Sequence, residues 1–81
     1  HLRGKFADAA KRFAEAEDAS PRESLFSYNL ACAYARAGDE RAKDALARAI
    51  RHGGAAVKTR AEADADFAGA RDAPWFRALT R

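Results

Sequence analysis

Few side chains in this 81-residue sequence could take part in catalysis. Cys32 could act as a nucleophile only beside a general base, and no histidine lies in the helix that we predict around it. Between Ala31 and Ala33, a small buried thiol is the ordinary occupant. Asp64 and Asp66 do not form an acid–base pair, because a step of two residues on a helix points them about 200° apart. The sequence therefore predicts a protein that is not an enzyme.

The residues that commonly bind metals are also few. His1 and His52 are far apart and lack the spacing of a zinc site, and a single cysteine cannot form an intramolecular disulfide. We expect His52 near the end of a helix, where it interacts favourably with the helix dipole. The sequence therefore predicts neither a metal nor another cofactor.

The charges of the chain are numerous but scattered. The 15 basic and 12 acidic side chains give a formal net charge of +3, without a basic block or an aromatic and arginine strip that could follow a phosphate backbone. No apolar run approaches the roughly 20 residues that span a bilayer. We therefore expect solvated helix faces, no nucleic-acid or membrane partner, and a soluble intracellular protein whose compartment the sequence does not identify.

Composition and periodicity favour an all-α fold of four to five short helices. Alanine supplies much of the 48% hydrophobic fraction, and few glycines or prolines are available for the turns of a β fold. Apolar residues recur at steps of three and four along residues 2–17, which predicts an amphipathic first helix. Ser20, Pro21 and Glu23 are typical of a capping box that starts a second helix, and Gly38 is expected to end it.

Two further helices are expected before the C-terminal end. Asp39 is the predicted N-cap of a third helix, which Gly53 and Gly54 end. Thr59 and Glu62 have the spacing of another capping box, so we expect a fourth helix over residues 60–70.

The last segment predicts a short final helix. Asp72 followed by Pro74 indicates a cap, and the helix after it carries Trp75, Phe76 and Leu79. We expect these aromatic rings to form core that covers the end of the domain, in preference to an aromatic binding surface.

The first and third helices share a spacing pattern that indicates an internal repeat. Gly4 and Gly38 lie 34 residues apart, and each is followed by an alanine, a large apolar residue and a second alanine with the same mutual spacing, although the turn after Gly38 is one residue shorter. The residues that carry this pattern are Phe6, Ala9, Phe13 and Ala16 in one copy, and Ala42, Leu46 and Ala49 in the other.

This period resembles the tetratricopeptide repeat, whose unit of 34 residues is two antiparallel helices. The positions of the second helix that match the family are Asn29, Leu30, Ala31, Tyr34 and Gly38. Ser27 departs from the pattern because the family has a large aromatic residue there. The tail is similar to a pattern that often follows a final repeat, with Ala65 where a proline is common, so the fourth helix is free to continue through Asp66.

The resemblance implies a right-handed α-solenoid fragment at the C-terminal end of an array. It divides the single domain, 1–81, into the second helix of a partial repeat (2–19), one full repeat (20–53) and C-terminal capping helices (55–81). Stacked neighbours and a terminal cap are what such units need, because each repeat alone has too small an apolar face to be stable.

In this family the first helices of successive repeats line a concave groove that holds an extended peptide or a partner helix. The resemblance therefore implies a protein–protein interaction module, a scaffold or adaptor, whose partner is a protein or peptide. Its partner-binding residues would be Leu25, Tyr28, Asn29, Cys32 and Arg36. Asn29 also matches an asparagine that holds a C-terminal carboxylate in some members, but we favour a structural hydrogen bond between repeats.

Two other expectations follow from the partial first repeat. The first helix would lack the helix that normally packs on it, so we expect homo-oligomerisation through Leu2, Phe6 and Phe13. The alternative function is a regulatory or oligomerisation segment of a larger enzyme or sensor protein.

Overall fold

The computed structural model describes the backbone of residues 2–81 and the side chains of residues 4–81, and this part of the chain is helical, without strands. The elements are α1 (Leu2–Ala19), α2 (Ser24–Ala37), α3 (Arg41–Gly53), α4 (Ala55–Ala63), a 3₁₀ turn (Ala65–Phe67) and α5 (Pro74–Thr80). The prediction of an all-α chain of short helices is confirmed. None of these helices has the length and hydropathy that crossing a membrane would require.

Helices α1 and α2 form an antiparallel hairpin. Near the connecting turn, the Ser27 hydroxyl donates to Glu17 Oε2 at 2.7 Å. At the opposite end, the guanidinium carbon of Arg36 lies 5.0 Å from the centre of the Phe6 ring. Helices α1 and α2 therefore pack side by side along most of their length.

Helix α3 packs antiparallel against α2. The Arg41 guanidinium carbon stands 4.7 Å from the ring centre of Tyr34 at one end of the pair, and Gly53 approaches Ser24 at the other. Helix α2 is consequently the central helix, which explains why it is rich in small uncharged residues. Its buried residues are Ser27, Tyr28, Leu30, Ala31, Cys32 and Ala33.

The predicted cap of α2 is wrong. The Ser20 N–H donates to the Ala16 carbonyl at 3.0 Å, so Ser20 closes α1. The Glu23 amide, which a Ser20 hydroxyl would have to cap, donates instead to the Ser20 carbonyl at 3.1 Å. Glu23 is itself the N-cap, and its carboxylate accepts a hydrogen bond from the Leu25 amide at 3.3 Å.

The end of α2 agrees with its prediction. Gly38 has a left-handed backbone (φ 71°), and its N–H and that of Asp39 donate to the carbonyls of Ala35 and Tyr34. This is the pair of bonds of a Schellman motif. The predicted N-cap of α3 is one residue too early, because Glu40 precedes the helix and makes no side-chain cap. Asp39 lies before it, and its carboxylate accepts from the Arg41 amide at 2.9 Å.

The fourth helix lies earlier than expected. The chain was predicted to be helical over 60–70, but α4 begins at Ala55, directly after Gly54. Thr59 is inside α4, where its hydroxyl donates to the Ala55 carbonyl at 3.2 Å. Thr59 therefore caps nothing, because its side chain bonds back into the preceding turn.

The continuation of α4 through Asp66 is also wrong. Asp64 has extended backbone angles (φ −82°, ψ 124°), and its carboxylate accepts from the Asp66 amide at 2.9 Å. An aspartate that bonds two residues ahead stabilises a turn in competition with the helix. Asp64 thus ends the helix without the proline that is common in the family.

The final helix begins as its proline predicts but without the predicted cap. Ala73 precedes Pro74 at the start of α5, and it makes no side-chain cap. Asp72 pairs instead with Arg77, with 3.1 Å between Oδ1 and Nη2.

Aromatic rings join the tail to the central helix. The Phe67 side chain is fully buried, with its ring centre 5.9 Å from that of Tyr28 and 5.4 Å from that of Phe76. Trp75 is half-buried and meets Phe76 edge-on at 5.7 Å. The tail therefore supplies core to the domain, and the expectation for Phe76 is confirmed.

Gly53 lies where α3, α4 and α2 approach one another. A Cβ atom built on Gly53 would overlap Val57 Cγ2 and lie 3.0 Å from Ser24 Oγ.

We expect Gly53→Ala to lower the free energy of unfolding by about 1–3 kcal/mol, although alanine favours helix. Gly4→Ala is the control, since nothing lies within 4 Å of the added methyl group. It should stabilise α1 by about 0.5–1 kcal/mol. Urea denaturation compares the two variants, and equal stabilities would contradict the close approach.

Candidate functional site

An open groove of about 270 Å³ lies between α1, α2 and the start of the tail. Four of the five predicted partner-binding residues line it. The lining consists of Phe6, Ala9 and Phe13 from α1, Tyr28, Asn29, Cys32, Ala33 and Arg36 from α2, and Arg60, Asp64 and Asp66 beyond them. The α2 residues come together because steps of three and four residues share one face of a helix.

Leu25 lies outside this groove. Its side chain is 45% exposed and borders a shallower hollow with Val57 and Arg60. Arg60 lines both hollows, so the two surfaces adjoin.

Tyr28 is a buried part of the groove wall and offers little accessible surface to a partner. The residue is 2% exposed, and the Arg60 guanidinium carbon lies 4.6 Å from its ring centre. Its hydroxyl donates to Asp64 Oδ2 at 2.7 Å. Burial and this bond to a carboxylate raise the pKa of Tyr28 well above its usual range, so the phenol stays protonated.

Asn29 offers the groove a carboxamide with no internal partner. The residue is half-buried, and its side chain forms no hydrogen bond with any residue that the structure describes. The structural bond between repeats that we favoured for Asn29 therefore has no counterpart among these residues. Its carboxamide remains available to a bound molecule.

Arg36 is held loosely at the rim. Its guanidinium lies over Phe6 and approaches Asp66 Oδ1 at 3.8 Å, with both side chains of the ion pair about two-fifths exposed, at 44% and 40%. Exposed ion pairs of this kind contribute about 0–1 kcal/mol. Arg36 can therefore exchange Asp66 for an acidic group of a partner at small cost.

Asp64 is held as a carboxylate. Burial alone raises the pKa of Asp64, but the Asp66 amide, the Tyr28 hydroxyl and the charges of Arg60 and Arg71 together lower it. Asp64 therefore stays ionised and joins α2 to the tail by accepting hydrogen bonds from both.

No family model, curated protein or solved structure matches this chain. The tetratricopeptide resemblance therefore stays a prediction. The groove must be interpreted from its own residues.

The structure brings Cys32 together with Asp64 and Asp66, which we had expected to act separately. One ligand atom from each lies within 4.8 Å of the others. Burial and the charges of the two aspartates raise the pKa of Cys32 to about 12. The thiol is therefore protonated near neutral pH, whereas a metal ligand or a nucleophile requires the thiolate. Asp64 is also already bonded to Tyr28, so the cluster acts best as a polar junction.

Sequence reasoning missed the part of the groove that comes from the tail. Arg60, Asp64 and Asp66 were expected on one continuous helix, whose direction relative to α2 no local pattern could give. The signal for Asp64 was its residue type in the segment DADF. Aspartate often accepts a hydrogen bond from the amide two residues ahead and so stabilises a turn. Phe6 and Phe13, which we predicted to take part in self-association, are half-buried and line the α1 side of the groove.

Proposed function

We propose that this chain is a tetratricopeptide-like protein–protein interaction module, part of a right-handed solenoid, that binds a peptide or partner helix in the groove between α1 and α2. The observation that supports this function best is the combination of an apolar floor with the unpartnered carboxamide of Asn29. The floor consists of Phe6, Ala9, Phe13 and Ala33. Binding sites are typically concave and mainly apolar, with a few polar groups that orient the ligand. The loosely held Arg36 adds a charged contact at the rim.

The test is a selection followed by a titration. Peptides that bind the wild-type chain are selected from a random displayed library, and each is then titrated against Asn29→Ala and Arg36→Glu. We expect each substitution to weaken binding roughly tenfold, which corresponds to about 1.4 kcal/mol. Amide chemical shifts of the labelled chain should change along α1 and α2.

Arg51→Glu is the matched control, because Arg51 is exposed on α3 and does not line the groove. It should alter the dissociation constant by less than about twofold, as expected for a surface site remote from the ligand. Equal weakening by Arg51→Glu and Arg36→Glu, or no shifts in groove amides, would contradict the proposed site.

Self-association is the second candidate, because Phe6 and Phe13 are large apolar residues that stay only partly buried. The Leu2 side chain, also predicted to contribute, lies outside the described residues. Sedimentation across a concentration series precedes the titration. A mass that rises with protein concentration supports this candidate, provided that Phe6→Ser abolishes the rise. A constant monomer mass excludes self-association.

A further inference from the structure

We propose that the occupant of the groove is an amphipathic helix with an acidic flank towards α1, lying along the α1–α2 hairpin. This inference rests on the proposed function, because it specifies which kind of partner the same site takes. Three properties of the groove support it: the apolar character of its floor, its length and the charge of its α1 rim.

The apolar floor of the groove cannot satisfy the backbone of an extended peptide. Phe6, Ala9, Phe13 and Ala33 offer no side-chain hydrogen bonds, and the aspartates are bonded to Tyr28 or paired with Arg36. The groups that can still bond a ligand, Asn29, Arg36 and Arg60, come from α2 and α4 and not from α1. A buried amide or carbonyl without a partner is unfavourable. A helix bonds its own backbone internally and avoids this cost.

The dimensions of the apolar strip match two turns of a helix. Phe6 and Phe13 are seven residues apart on α1, which corresponds to about 10.5 Å. Ala9 and Ala33 lie between the rings and allow close approach by another helix. An amphipathic helix with apolar anchors at steps of three, four and seven residues covers a strip of this length.

The α1 rim carries two cations without an ion pair. Lys5 and Arg12 are exposed on α1, seven residues apart, and at 100° per residue they lie beside the apolar strip on the side away from α2. Neither forms an ion pair with another described residue. Asp8, at helical spacing from both, lies further round the helix from the groove, so Lys5 and Arg12 are the charges nearest to the strip.

The opposite rim is mixed in charge, because Asp64 and Asp66 lie beside Arg36 and Arg60. Arg36 is paired weakly with Asp66, and Arg60 stands over the Tyr28 ring. A helix in the groove would therefore meet cations without an ion pair on its α1 flank. A second copy of α1 would bring its own Lys5 and Arg12 against them, so charge complementarity at the α1 rim favours a partner with an acidic flank over self-association.

The experiment uses three synthetic 16-residue peptides as probes. The first has leucine anchors at helical spacing with glutamates on one flank, the second has lysines in place of the glutamates, and the third is the acidic peptide with two prolines in its centre. Fluorescence anisotropy measures their dissociation constants for the full chain. The acidic helix should bind roughly tenfold tighter than either other probe, with amide shifts confined to the groove.

Two comparisons test the charge contribution. The double variant Lys5→Glu/Arg12→Glu should prefer the lysine-flanked peptide, whereas Lys43→Glu/Arg51→Glu on exposed positions of α3 should keep the wild-type order. Circular dichroism confirms that both variants are folded. For the wild-type chain, salt at about 1 M should remove the difference in dissociation constant between the first two peptides, because the Debye length falls to about 3 Å.

The outcomes separate this inference from the proposed function. Equal binding of the acidic and lysine-flanked peptides, or of the proline-containing peptide, overturns the acidic helix and leaves the groove a binding site for another ligand. A self-associated species that excludes the acidic peptide overturns it in favour of a second copy. If neither these probes nor any library-selected peptide shifts the groove amides, the proposed function fails with it.

Discussion

Phe67→Ala is expected to lower the free energy of unfolding by about 3–5 kcal/mol. The Phe67 side chain has no exposed surface and contacts the rings of both Tyr28 and Phe76. Removing the ring deletes two aromatic contacts and leaves a cavity where the tail meets α2. Domains of this size have a total stability of about 5–10 kcal/mol, so much of the population should unfold under mild conditions.

Thermal unfolding followed by circular dichroism measures this effect. A loss of 3–5 kcal/mol should lower the midpoint by about 15–30 °C for a chain of this length. Phe26→Ala is the matched control, since Phe26 is a half-buried phenylalanine of α2 that lies outside the core cluster. We expect it to cost about 1–2 kcal/mol. Equal costs would show that the tail does not unfold cooperatively with α2.

The position of Phe67 also connects stability with binding. Phe67 closes the 3₁₀ turn that Asp64 caps, and Asp64 holds the Tyr28 hydroxyl at the wall of the groove. A loosened turn would therefore release Asp64 and Asp66 from α2 and change the charge at one rim. The cap and the groove form one structural unit in this respect.

Periodicity and the glycines that end helices were sufficient to predict the first three helices. Long amphipathic segments repeat the same apolar step many times, and Gly38 permits the left-handed backbone that ends α2. Single capping residues were a poorer guide. Ser20 and Thr59 each have the right spacing for a cap, but their backbone and side-chain groups bond to the preceding turn. Local spacing does not reveal which of two nearby acceptors a polar group will use.

The site was predictable only where its residues share one helix. Asn29, Cys32 and Arg36 fall on one face of α2, so the spacing places them together before any tertiary contact is known. Asp64 and Arg60 reach the same groove through the fold of the tail. Their positions depend on the break at Asp64 and on the burial of Phe67, and both are long-range consequences of packing.

Ser27 joins α1 and α2 by a polar interaction. Its side chain is fully buried, and its hydroxyl donates to Glu17. The neighbouring Tyr28 supplies a buried ring, which packs against Phe67. A polar and an apolar contact of α2 thus lie side by side, one towards α1 and the other towards the tail.

Glu17→Gln is expected to lower the free energy of unfolding by about 2–3 kcal/mol. Glu17 Oε2 accepts from the Ser27 hydroxyl at 2.7 Å, and both carboxylate oxygens accept from Arg48, at 2.7 and 2.9 Å. The Glu17 side chain is only 12% exposed. Glutamine keeps the shape but removes the charge, so Arg48 and the buried Ser27 hydroxyl lose their strongest acceptor.

The same network determines a pH dependence. The Arg48 hydrogen bond, helped by Ser27 and opposed by burial, lowers the pKa of Glu17 from its ordinary value of 4.5. A lowered pKa in the folded state means that this stabilisation is present above about pH 4.5 and is lost as the pH falls through the folded-state value. Urea denaturation measures the free energy of unfolding at pH 7 and at pH 3. The loss of this free energy between pH 7 and pH 3 should therefore be smaller for Glu17→Gln than for the wild type.

Glu15→Gln is the control for this pH effect, because Glu15 is exposed on the same helix and makes no hydrogen bond or ion pair with another described residue. Its stability should stay within about 0.5 kcal/mol of the wild type at both pH values.

The double variant Glu17→Gln/Ser27→Ala isolates the contribution of the Ser27 hydroxyl. If the Ser27 hydroxyl stabilises the hairpin through Glu17, removing both groups should cost less than the sum of the single changes by about 1 kcal/mol. Strict additivity would mean that Glu17 stabilises the hairpin through Arg48 alone, and that the buried Ser27 owes its place to its small size.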